Sequence, residues 1–196
     1  MINRKQVLFF FILVALAQLY VPAKMIFDRE DVLETGTEYK FKTAPIDPSD
    51  PFRGKYITLN YVNNSINVKD DGSWVDGETV YVTFFTDDEG FAGIDNISNE
   101  KPSNTQNFLK TKSRLIYPNE MEPYVKLVID YPFDRFYMEE FKANDAEQAY
   151  SRSLQDTSQV TYALVVIKNG DAVLKDVLID GVSIEEIVRT EQLNNN

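Results

Sequence analysis

The sequence predicts a mainly β fold, antiparallel and sandwich- or barrel-like, with one or two short helices, behind an N-terminal transmembrane helix. Three observations carry this expectation. The chain opens on a long apolar run. The remainder breaks into short segments in which apolar and polar residues alternate with a period of two. Between them stand tight-turn dipeptides, above all Asn169-Gly170 and Asp180-Gly181.

The apolar run follows Arg4 and Lys5 and continues to Lys24. A helix from Gln6 to Ala23 covers about 27 Å, close to the thickness of a hydrocarbon core. Positive charges precede it and an acidic bulk follows, so the positive-inside rule keeps the N-terminus in the cytoplasm and the rest outside. Phe9-Phe10-Phe11 and their neighbours leave no polar face, which argues against a soluble core helix. The alternative is a signal sequence, with Ala15-Leu16-Ala17 as a small-residue cleavage site after Val7 to Val14. The uncleaved anchor is preferred because Leu19, Tyr20, Val21, Met25 and Ile26 prolong the apolar character. We therefore expect residues 1–26 to be a signal-anchor and residues 27–196 to be one extracytoplasmic domain. Its location would be the cytoplasmic (inner) membrane, single-pass, with the domain on the periplasmic side.

The strands come next. Thr37 to Thr43 sets Tyr39 and Phe41 against Lys40 and Lys42. Tyr56 to Tyr61 alternates Ile57, Leu59 and Tyr61 with Tyr56, Thr58 and Asn60. Glu78 to Phe85 puts Val80, Val82 and Phe84 on one face. Tyr124 to Tyr131 and Arg135 to Phe141 flank Pro132. Gln159 to Ile167 and Ala172 to Ile179 flank Asn169-Gly170, a type I′ hairpin signal. The stretch Asp87 to Asn107 is rich in Asp, Asn, Gly and Ser and reads as a long loop. A helix is expected from an Asn144 cap with Glu147 three residues on, its buried face formed by Ala146, Tyr150 and Leu154. Ser183 and Glu186 can open a second, C-terminal helix.

Charge and composition narrow the chemistry. The net charge of −11 would repel a phosphate backbone, so no nucleic-acid partner is expected. The absence of cysteine and histidine removes thiol nucleophiles, disulfides, imidazole ligands and any Ser-His-Asp triad. No cofactor and no metal is expected. Asp70-Asp71-Gly72, Asp76-Gly77-Glu78 and Asp87-Asp88-Glu89-Gly90 are oxygen-rich, but none has the spaced pattern of a calcium loop. They read as acidic turns.

The most distinctive segment runs from Asp47 to Tyr61. Pro48 and Pro51 deny two backbone donors, so the loop cannot lie inside a sheet. Gly54 permits a positive φ or a close approach. Arg53 can fork onto a carboxylate, with Asp47 or Asp50 the first choice and Glu140 or Glu147 the second. The segment is either a structural corner pinned by such a pair or a binding site, with Asp47, Asp50, Arg53, Gly54, Tyr56, Leu59, Tyr61, Glu140 and Glu147 as candidate binding residues. Two routes to catalysis stay open. One is a carboxylate pair drawn from Glu139, Glu140 and Glu147, and the other a serine–lysine pair of Ser49 and Lys126. No catalytic residue is assigned. The exposed-capable aromatics Tyr56, Tyr61, Tyr81, Phe84, Tyr124 and Tyr131 can stack on sugars, but core and cross-strand pairing explains them more simply.

The run Pro45-Ile46-Asp47-Pro48-Ser49-Asp50-Pro51-Phe52-Arg53-Gly54-Lys55-Tyr56-Ile57-Thr58-Leu59-Asn60-Tyr61 resembles the motif of the GDYXXLXY protein family, with Lys55 where the family name has Asp. Arg135 to Glu140, followed by Glu147, is similar to a family segment in which an aromatic strand runs into Pro-Glu-Gly. Here Glu139 and Phe141 replace the proline and the glycine. Ala163 to Gly181 resembles the family's closing hairpin. The resemblance implies a membrane-anchored bacterial protein of unassigned function, often accompanied by multi-spanning membrane proteins. The expected function is a membrane-tethered, non-enzymatic module of the cell envelope that partners another membrane protein. The alternative is an envelope hydrolase using carboxylates or the Ser49–Lys126 pair.

Overall fold

Asn3 caps the first helix by a capping box: its side chain accepts from the Lys5 N–H, and Gln6 returns a bond to its own N–H. Helix α1 (Arg4–Thr35) then runs past the expected anchor boundary without a break, through Pro22, to Gly36. It is the one helix among the described residues long and apolar enough to cross a membrane. The computed structural model describes residues 3–45, 56–117, 124–156 and 158–194.

Strands follow in the order β1 (Thr37–Ala44), β2 (Tyr56–Thr58), β3 (Asn60–Tyr61), β4 (Ser65–Lys69), β5 (Thr79–Thr86), β6 (Ala92–Ser98), β7 (Phe108–Ile116), β8 (Tyr124–Asp130) and β9 (Arg135–Tyr137). Helix α2 (Glu140–Gln155) precedes β10 (Thr161–Lys168), β11 (Asp171–Ile179) and β12 (Val182–Ser183), and α3 (Ile184–Asn194) closes the fold. One sheet has the order β12-β11-β10-β1-β3, a second β4-β8-β7-β5-β6, and β2 and β9 form a small third sheet. Every named strand pair is antiparallel. The mainly β, antiparallel expectation holds.

The two large sheets face each other across one apolar core. Phe41 of β1 meets Phe84 of β5 edge to face, with ring centroids 5.1 Å apart. Val80, Val82, Leu109, Leu127, Val165, Ile167 and Val177 are all buried; β5 and β8 follow the period-two alternation, whereas β10 is buried on both faces. Helices α2 and α3 lie side by side, joined by Arg152 to Glu191 at 2.8 Å and by Gln192 to Asp145 at 2.7 Å. Ala146 and Tyr150 are buried, as the i, i+4 spacing predicts.

The turn chemistry is borne out. Asn169 (φ 53°) and Gly170 (φ 98°) close the β10–β11 hairpin, and Asp180 (φ 51°) and Gly181 (φ 85°) close β11–β12. Positive φ at both central residues is the type I′ geometry, whose twist matches that of the flanking strands.

Four expectations need correction. Helix α2 starts at Glu140 with Glu139 as its N-cap, and Asn144 sits exposed inside it. Glu140 in the first turn favours the positive end of the helix dipole, and burial of Ala143 rewards the extra turn. Accordingly β9 stops at Tyr137, short of the expected Phe141. Tyr56 to Tyr61 is two strands in different sheets, broken at Leu59. The expected loop Asp87 to Asn107 contains β6, an edge strand whose Gly93, Asp95 and Asn96 have weak strand propensity.

Candidate functional site

The family-like motif bridges two sheets. The described part of the motif begins with β2, which among the described strands pairs only with β9: Tyr56 opposite Tyr137, Ile57 opposite Phe136, Thr58 opposite Arg135. At Leu59 it swerves, held by a 2.8 Å bond from its N–H to the Asp134 carbonyl. It then forms β3, which pairs with the end of β1 through Thr43–Tyr61 and Ala44–Asn60. Leu59 and Tyr61 are buried, 4% exposed each, and Tyr56 is half-buried. The motif's leucine and second tyrosine are therefore core residues, and its first tyrosine lies at the surface.

Tyr61 sits in an aromatic cluster with Phe41, Tyr131 and Phe133, at centroid distances of 5.8, 5.4 and 5.4 Å. Its hydroxyl donates to the Phe133 carbonyl at 2.7 Å. Tyr131 donates to the Asn63 carbonyl at the same distance. Beside them runs a chain of buried hydroxyls: Thr43 donates to the Thr161 carbonyl, Thr161 to Ser153, and Ser153 to the Tyr150 carbonyl. This chain ties β1 and β10 to α2. The Tyr150 hydroxyl lies next to the Thr43 side chain and the Asn60 backbone without reaching good hydrogen-bond geometry to either.

Burial raises the ionisation of all three tyrosines above the ordinary phenol value of 10. Tyr150 is pushed up to about 12, and Tyr61 and Tyr131 are raised further. An acid whose folded pKa is raised stabilises the fold fully below its unfolded value and loses that contribution as pH rises through the folded one. These tyrosines should thus leave stability unchanged below about pH 10 and weaken the fold as pH rises above it, Tyr150 ionising first at about 12. In an alkaline titration a late fraction of tyrosinate absorbance should appear together with loss of circular dichroism. Complete ionisation before that loss would contradict the burial.

The outer face of the small sheet is different in character. The Tyr56 and Tyr137 rings are 5.4 Å apart, and the Arg135 guanidinium stands 5.0 Å over the Tyr56 ring. Tyr137 is 63% exposed, as is Phe141 at 69% in the first turn of α2. Around the motif's other half, Leu59, Asn60, Tyr61, Asn64, Arg114, Ile129, Asp130, Tyr131 and Asp134 line a cleft of about 280 Å³. Arg114 and Asp130, from the neighbouring strands β7 and β8, pair at its lining at 2.9 Å.

Several expected residues fall elsewhere. Asp47, Asp50, Arg53, Gly54 and Ser49 lie outside the described residues, so the pairing expected of Arg53 and the Ser49–Lys126 pair do so too. Lys126 is exposed on β8, opposite Asn67. Glu140 is exposed at the start of α2, and Glu147 is half-buried two turns on, on the same side of the helix. Two acidic turns use their carboxylates on their own backbone, Asp70 accepting from Gly72, Asp71 from Ser73, and Asp87 from Glu89 and Phe91, while Asp76 accepts from the Leu115 N–H of β7. Among the described residues no group of three or more acidic side chains is placed to hold a metal ion. Sequence reasoning missed Arg135, although its place two residues before Tyr137 on an alternating strand puts both on one face.

These features define a class of protein: an antiparallel β-domain carried on a single N-terminal apolar helix of the kind that serves as a membrane anchor or a signal sequence. Residues 18–177, most of the chain, match the model of the GDYXXLXY protein family, and the chain belongs to that family. No curated protein and no solved structure matches it.

Proposed function

We propose that this chain is a membrane-tethered, extracytoplasmic module of the bacterial cell envelope, acting as a non-enzymatic interaction partner of another membrane protein. Residues 1–26 would hold it, uncleaved, in the cytoplasmic (inner) membrane, with residues 27–196 as one domain on the periplasmic side. The observation that carries the reading is the division of labour within the motif. Leu59 and Tyr61 go to the core, whereas Tyr56, with Tyr137 and Arg135, forms an exposed aromatic–arginine face. Tyr and Arg are the residue types enriched at the energetic centres of protein interfaces. Tethering two partners in one membrane raises their effective concentration, so a small face suffices.

A photo-crosslinking amino acid at Tyr137, in cells expressing the full chain, tests this. An adduct with a membrane protein is expected there and not at Tyr124, an exposed position on β8. Adducts at both positions alike, or at neither, would count against the face. Hydrolytic turnover by the purified chain, lost on replacing Lys126, Glu140 or Glu147, would replace the reading with an enzymatic one.

A further inference from the structure

Helix α1 does not end where the bilayer would. Met25, Ile26 and Phe27 are 63%, 65% and 73% exposed, and the first acidic residue after them is Asp28. Counted with the preceding run, the apolar stretch from Val7 to Phe27 is about 31 Å long, enough to fill a hydrocarbon core. Lys24 within it can reach the headgroups by extending its stem.

Within a turn of Phe27 the helix is already part of the domain. Arg29 Nη1 donates to the Ala172 carbonyl at 3.0 Å, and Val32 is buried. Lys168 Nζ bonds Asp31 at 2.7 Å and the Thr35 hydroxyl at 2.6 Å. A single residue, Gly36, joins α1 to β1, and it is wedged: a Cβ there would lie 2.5 Å from the Val32 carbonyl oxygen and 2.6 Å from Val166 Cγ1. The contacts of Arg29, Asp31, Thr35 and Gly36 all fall on the β10–β11 hairpin. The apolar part of α1 stays exposed along its length, so the domain does not fold back along it. From Gly36, β1 leads away for about 23 Å, at 3.3 Å per residue, to Thr43, Ala44 and the paired Tyr61.

We propose that α1 and the β-domain are one rigid unit, which seats the β10–β11 hairpin on the lipid headgroups and holds the motif end of the domain clear of them. Charge agrees with this placement. The chain carries −11 overall, yet around the hairpin Lys24, Arg29, Lys110 and Lys168 nearly balance Asp28, Glu30, Asp31, Glu34 and Asp171. Repulsion from anionic headgroups is therefore weakest at this end. The inference rests on the anchored reading above and adds orientation to it: a partner meets the Tyr56–Tyr137 face away from the bilayer surface.

The chain has no cysteine, so single-cysteine labelling is unambiguous. Asp171→Cys places a fluorophore at the hairpin. Val182→Cys places one beyond the far end of β11, about 26 Å along the strand. Both are made in the full chain, reconstituted in nanodiscs that contain headgroup-nitroxide lipid. Quenching at Asp171→Cys should exceed that at Val182→Cys several-fold, and a run of glycines inserted between Thr35 and Gly36 should bring the two close together. Equal quenching in the parent chain, or a ratio untouched by the glycines, would overturn the rigid seating and leave the anchored reading standing. A chain that fails to enter nanodiscs at all would overturn both.

Discussion

Truncating the second tyrosine of the motif, Tyr61→Ala, is expected to cost about 3–5 kcal/mol of folding stability, while Tyr61→Phe costs about 1–2 kcal/mol. The first figure is the loss of a buried aromatic ring. Tyr61 is 4% exposed and touches Phe41, Tyr131 and Phe133, whose rings also pack on one another. Those neighbours belong to β1 and to the segment that follows β8, so the cavity would open at the join of two sheets, where collapse from one side cannot fill it. The second figure is the hydroxyl alone, since Phe would leave the Phe133 carbonyl without its 2.7 Å donor. Urea denaturation of the detergent-solubilised chain would show both, followed by the single tryptophan, Trp74, which packs against the core. A Tyr61→Ala chain as stable as the parent would mean that the motif's tyrosine is not structural. Equal losses for the two substitutions would mean that the hydrogen bond, not the ring, carries the stability.

That Tyr61 is a core residue could be read from the sequence, because Ile57, Leu59 and Tyr61 alternate with polar neighbours and alternation specifies a buried face. That Tyr56 and Tyr61 serve different sheets could not. Alternation is blind to a strand that changes partner, and the swerve at Leu59 is fixed by a carbonyl of Asp134, distant in sequence. The turns at Asn169-Gly170 and Asp180-Gly181 were legible because positive φ has a local chemical signature. So was α3, announced by Ser183 and Glu186.

The second sheet was the least legible part. Its edge strand β4 and its inner strand β7 carry no run of large apolar residues. In β7 the inward positions include Thr111 and Ser113, and Ser113 is buried all the same. The regular spacing of Lys110, Lys112 and Arg114 was the available signal, marking the outward face of a strand by its charges. Strand β6 hid behind Gly93, Asp95 and Asn96, residues that strands tolerate at an edge more readily than in the middle. On the candidate site, the sequence singled out Tyr56 but not its partners Tyr137 and Arg135. Cross-strand register depends on which strands pair, and β2 pairs with a strand that follows the whole second sheet in the sequence.

Gly36→Ala is expected to cost about 1–3 kcal/mol and to loosen the end of α1 from the sheet. The reason is space, not conformation. Gly36 has φ −77° and ψ 172°, which any residue adopts. A methyl group there would lie 2.5 Å from the Val32 carbonyl oxygen, 2.6 Å from Val166 Cγ1 and 3.0 Å from the Ile167 carbonyl oxygen. The valine methyl can rotate away. The Val32 carbonyl cannot, since it accepts the 2.9 Å bond from Gly36 that caps the helix. Adding Val166→Ala should therefore recover only a small part of the loss. Gly72→Ala is a useful contrast: its added methyl meets nothing, but φ is +78°, so any cost there would be conformational. Thermal unfolding gives the stability change, and limited proteolysis between Asp31 and Thr37 reports the joint. Cleavage should rise in Gly36→Ala and not in Gly72→Ala. If Gly36→Ala is as stable and as protected as the parent, the helix does not pack on the hairpin as closely as its contacts imply, and the rigid coupling of anchor to domain loses its mechanical basis.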